Sequence, residues 1–157
     1  METKDNNWLT NRFNEIYNKY FYDVEIKNQI IISFGRPCRT RLGSIKLNPK
    51  KAEKISKITI NGFFKNPEIP EFVVDAVIAH EFMHYAHGFA SNHDKAYKHP
   101  HRGGVVDWDL IERGLGDTLK LEKLWVKKNW QNYLKDNCTT KPRKRRKNRK
   151  FFGIRFI

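Results

Sequence analysis

Cysteine is scarce in this chain: Cys38 and Cys138 are the only two among 157 residues. Their spacing suits neither a zinc ribbon nor a disulfide framework, so both are expected as ordinary thiols in a reducing cytosol. Long apolar runs are lacking too. No stretch approaches the roughly 20 apolar residues that a membrane span needs, so no membrane partner is expected. The opening METKDNNWLTNRF has no apolar core of the signal-peptide kind. Acids are missing from residues 141–157, while apolar residues, at 39% of the chain, are too frequent for disorder throughout.

What is there, first, is charge of one sign at one end. The formal net charge is +14, and residues 141–157 carry nine lysines and arginines, which leaves +5 for residues 1–140. Residues 1–140 read as one domain, and 141–157 as a basic, flexible C-terminal tail, because KPRKRRKNRK repels itself and cannot fold alone. Arg143, Lys144, Arg145, Arg146, Lys147, Arg149 and Lys150 are the candidate contacts to DNA or another nucleic acid through phosphate. Solubility or an address signal would use the same composition. The location expected is cytoplasmic, nucleoid-associated or nuclear.

Periodicity divides the domain. Trp8, Leu9, Phe13, Ile16, Tyr17 and Tyr20 share one face of a helix over about 6–20. Alternation from Val24 to Phe34 predicts a strand, stopped by Gly35-Arg36-Pro37. Short strands follow around Ile45–Leu47 and Ile58–Ile60, the latter a possible sheet edge onto which an extended substrate could pair. Residues 89–106 read as loop, then a short helix over about 107–113 closed by Gly114 and Gly116. Asp117 is expected to cap a last helix over about 118–135, whose Leu121, Leu124, Trp125, Trp130, Tyr133 and Leu134 read as core. The outcome is an α+β fold: a three-stranded sheet with flanking helices.

The chemistry centres on His80-Glu81-Phe82-Met83-His84, a complete H-E-x-x-H. Residues four apart lie on one helix face, so His80 and His84 can offer two imidazoles to one ion. Glu81 leans to the same side, within reach of a proton on a water bound there. Val73, Ala76, Val77 and Ile78 supply an apolar stripe, Pro70 stands just before the helix and Gly88 just after it.

Two histidines leave a catalytic zinc one protein ligand short. His87 shares the helix face but lies a turn further on, where a straight helix does not wrap three ligands around an ion. The open candidates are His93, His99 and His101, or a carboxylate from Asp107, Asp109 or Glu112. Tyr97, His99 and Arg102 are candidates for an additional oxyanion donor.

HEFMH on an Ile/Val-rich helix, short strands before it, a histidine-containing loop and a Trp-bearing helix after it: this order resembles the SprT-like (Spartan-like) zinc metallopeptidases. That family includes proteases that degrade proteins crosslinked to DNA. The resemblance runs over about residues 8–134 and is sharpest over 80–113. It implies a zincin-like domain with an H-E-x-x-H active-site helix and one Zn2+ per chain. In the family a third histidine follows that helix, then glycine, then an aromatic opening the next helix. Pro100-His101-Arg102-Gly103 with Trp108 is the matching stretch, so the implied ligands are His80, His84 and His101. Glu81 is the implied catalytic base for hydrolysis of a protein or peptide substrate, with DNA-associated proteins as one target. The alternative from another class is a nucleic-acid-binding module with a structural or vestigial zinc site. Glu81, which a structural site does not need, favours the enzyme.

Overall fold

In the computed structural model, residues 3–48 and 53–138 are described. The tail residues Arg143 to Lys150, the expected nucleic-acid contacts, lie outside them. Helix α1 spans Asn6–Tyr20, where the Asp5 side chain caps the start by accepting the Trp8 amide at 2.7 Å. Strand β1 is Gln29–Phe34, β2 is Gly43–Asn48 and β3 is Ile55–Ile60. A 3-10 turn, Gly62–Lys65, leads to helix α2, Glu71–Ala86. Beyond a long loop come α3, Val105–Leu110, α4, Gly116–Trp125, and α5, Gln131–Asn137. The class is α+β with a three-stranded sheet, as expected.

The sheet order is β1-β3-β2, with β1 parallel and β2 antiparallel to β3. Ile58–Ile60, expected as a candidate sheet edge, lies instead in the central strand β3, and β1 and β2 are the two edges. Register puts Ile32, Ile58 and Ile45 in one row on the inner face, with Phe34, Ile60 and Gly43 in the next. Helix α2 lies against that face. It buries Val73, Val74, Val77, Ile78, Phe82, Met83 and Tyr85, apolar on nearly all sides, as a helix enclosed in a core must be. Arg12 on α1 pins Asp75 on α2 by a two-pronged contact, Nε to Oδ1 at 3.0 Å and Nη2 to Oδ2 at 2.5 Å.

Other expectations also need correction. The first strand begins at Gln29 rather than Val24, because the Lys27 and Asn28 amides donate to the Tyr85 hydroxyl, at 3.0 and 3.2 Å, and not to a neighbouring strand. The helix expected over 107–113 starts at Val105 and passes at Ile111 into a π turn, Ile111–Leu115. Leu115, not Asp117, is the N-cap of α4, and Asp117 sits inside its first turn. A second π turn, Val126–Trp130, joins α4 to α5. Trp130 and Leu134 are core as expected, while Leu121 and Leu124 are half exposed on the outside of α4.

Candidate metal centre

Helix α2 presents His80 and His84 one turn apart, with their Nε2 atoms 3.2 Å from each other. His101, at the end of the loop that follows α2, closes over both. Its ring lies parallel to His80 at 5.5 Å and edge-on to His84 at 4.5 Å between centroids. One nitrogen from each of the three lies within 4.8 Å of the others, so the histidines are close enough to hold a metal ion. Ligands about 2.0–2.1 Å from a tetrahedral zinc stand about 3.3 Å apart, which the His80–His84 pair nearly matches. Imidazole is a donor that zinc accepts readily. The donor set therefore fits the ion.

The loop is turned into place by Gly103 and Gly104, whose φ values of +74° and +67° suit glycine and few other residues. Directly after them α3 begins, so His101 is held between the long loop and a helix start.

Burial sets the electrostatics. Desolvation, then the neighbouring His80 and His101 rings, pushes His84 down to about 4. Desolvation, then His101, also lowers His80. Both shifts favour the neutral imidazole, whose lone pair is available to a ligand. Burial pushes the Glu81 carboxyl up to about 7, against the pull of the Arg41 guanidinium. The Nδ1 of His84 is buried without a hydrogen-bond partner.

The three histidines and Glu81 line one cleft of about 690 Å3. One wall is β2 and the loop before it, Thr40 to Ile45; the other is α4, through Leu119, Glu122 and Lys123. β2 has a neighbour only on its β3 side among the described residues, so its other edge is free, and its residues Gly43 to Ile45 line the cleft.

The competing ligand candidates are occupied elsewhere. His93 bonds the Glu25 carbonyl through Nε2 at 2.7 Å and packs edge-on against Tyr85. His87 pairs with Asp109 at 2.5 Å. Asp107 borders the cleft but pairs with Lys123, and Glu112 lines a different depression beside Asp23 and Arg113. His99 is exposed and does not line the cleft. Nor do Tyr97 and Arg102, the other oxyanion candidates; Tyr97 packs against His87. The cations that line the cleft are Arg41 and Lys123, of which Lys123 pairs with Asp107, and the sequence reading passed over both. It also passed over Gly43, whose position depends on a register that no local pattern reveals. No known protein family, curated protein or solved structure matches the chain.

Proposed function

We propose that the chain is a zinc-dependent metallopeptidase with a zincin-like domain of the SprT-like kind. The observation that carries this reading is the convergence of His80, His84 and His101 in the same cleft as the buried carboxyl of Glu81. His80, His84 and His101 would hold one zinc ion. When bound, zinc supplies Lewis acidity, bringing the pKa of a water toward neutrality and polarising a carbonyl.

The remaining work falls to side chains of this chain. Glu81 accepts a proton from the attacking water and returns it to the leaving amine. In the metal-free chain burial raises this carboxyl toward neutral pH, and a bound dication would favour its ionised, proton-accepting form. Arg41 offers a positive charge to the oxygen that becomes negative in the tetrahedral transition state. The free edge of β2 from Gly43 to Ile45 offers amides and carbonyls to an extended polypeptide, which reads backbone more than side chain and implies low sequence selectivity. Leu42, Val77, Phe89 and Leu119 give the cleft apolar walls. A structural zinc site closes four protein ligands around the ion, whereas this donor set opens onto a cleft, which favours catalysis. The basic tail would bring the enzyme to DNA-associated substrates.

The test pairs metal content with hydrolysis of an unfolded protein. About one zinc per chain and activity lost in Glu81→Gln, with zinc retained, are expected. A preparation that takes up no zinc when it is supplied would end the proposal.

A further inference from the structure

Helix α2 covers only the inner face of the sheet. On the outer face the register places Ile31, Lys57 and Lys46 in one row, and Ser33, Thr59 and Ser44 in the next. Lys46 and Lys57 stand directly opposite each other on adjacent strands, and both are exposed. Like charges in that relationship repel, so the pair costs stability unless an anion lies across it. Neither lysine makes an ion pair with any described residue. No acid stands in either row. At the end of these rows a notch of about 190 Å3 adds Arg36 and Arg41 beside Ser44 and Thr59.

We propose that this outer face is a binding surface for the sugar–phosphate backbone of duplex nucleic acid, with Lys46 and Lys57 as its central pair. Two lysines and three hydroxyls on the sheet, with two arginines from the segment between β1 and β2, offer charge and hydrogen bonds to successive phosphates, which position a duplex without reading its sequence. The two rows contain no aromatic side chain. Proteins that hold single strands stack bases on aromatic rings, and this face has none to offer. An anionic membrane is a poorer occupant, because surface binding to lipid draws on a broad apolar face and Ile31 stands alone here. Arg41 and Ser44 line both the notch and the metal-site cleft, so a duplex on this face would end at the cleft mouth. A protein attached to that duplex would then be presented to the free edge of β2. The binding claim stands apart from the hydrolase reading; only the presentation of substrate rests on it.

The experiment is a titration of a short DNA duplex with the full chain, by fluorescence anisotropy, from 50 to 200 mM salt. In Lys46→Gln/Lys57→Gln the slope of log affinity against log salt is expected to fall by about 1.8, two phosphate contacts at about 0.9 each. Affinity near 150 mM salt should drop about tenfold or more, and each single variant should lose about half of the slope change. The matched double variant Lys127→Gln/Lys128→Gln should keep the parent slope. The melting temperature of Lys46→Gln/Lys57→Gln should equal or exceed the parent's, which separates lost contact from lost fold. Hydrolysis of a free unfolded protein should be unchanged, since neither lysine lines the cleft. An unchanged slope in the sheet variant, an equal loss in the control variant, or binding confined to phosphatidylserine vesicles would each overturn the proposal, whatever the peptidase assay gives.

Discussion

Gly43 and Glu81 are in contact across the cleft: a Cβ added to Gly43 would stand 2.9 Å from Glu81 Oε1 and 2.6 Å from Val77 Cγ1. Both distances are below any that a real Cβ tolerates, and Val77 is packed in the core. The first residue of β2 therefore has to be glycine for Glu81 to rest where it does. Gly43→Ala should keep its zinc and lose about tenfold to a hundredfold in kcat, since misplacing a catalytic group by about 1 Å costs that much. It should also lose about 1–3 kcal/mol of stability by overpacking. Full activity in Gly43→Ala would show that the position of Glu81 is not critical.

The contrast between Glu81 and Gly43 shows what a single sequence can disclose. His80, Glu81 and His84 are legible because helix spacing is local: three residues and an apolar stripe suffice. The α+β class follows from local periods as well. His101 came through a family resemblance, since a loop carries no period to read. Gly43 and Arg41 matter only because β2 pairs outside β3, a long-range choice that left β3 mistaken for an edge. The strand drawn from Val24 failed differently. Val24 and Ile26 alternate as strand residues do, but the amides just beyond them bond the Tyr85 hydroxyl, contributed by a helix 57–58 residues away.

Assignment of the third ligand can be checked by metal content alone. His101→Ala should lose most of its zinc at neutral pH, because two imidazoles from one helix leave the ion half coordinated. His93→Ala and His99→Ala should retain about one zinc per chain. His93→Ala should still loosen the loop after α2, since it removes the bond to the Glu25 carbonyl. Zinc retained in His101→Ala and lost in either of the others would reassign the site.

A second kind of histidine sits one turn beyond the site. His87 caps α2 and pairs with Asp109 on α3, tying the two helices together. Asp109→Asn should leave zinc content unchanged and cost about 1 kcal/mol in urea unfolding, because the amide oxygen can still accept from the His87 ring and only the charge-assisted part of the bond is lost. Loss of metal from Asp109→Asn, with the fold intact, would mean that this pair serves the site rather than the packing of α3.

The metal-free protein offers a test of how burial treats Glu81. Its carboxyl is raised from 4.5 to about 7 in the folded chain. Between those values the folded state holds a proton that the unfolded state has released. Stability from this group is thus fully present below about pH 4.5 and lost as pH rises through 7. The loss can reach about 3 kcal/mol, the size of the shift at about 1.4 kcal/mol per unit. Glu81→Gln has no charge to bury, so it should gain on the parent across that window and level off above it. His84 works in the opposite sense, being lowered to about 4, but it does so in both proteins and cancels in the difference. Chemical unfolding at several pH values in the presence of a chelator measures the gap. A gap that stays constant from pH 4 to 8 would mean that Glu81 is solvated in the folded protein. Zinc should shrink the gap in the parent, since a dication beside Glu81 favours the ionised carboxylate that burial alone opposes.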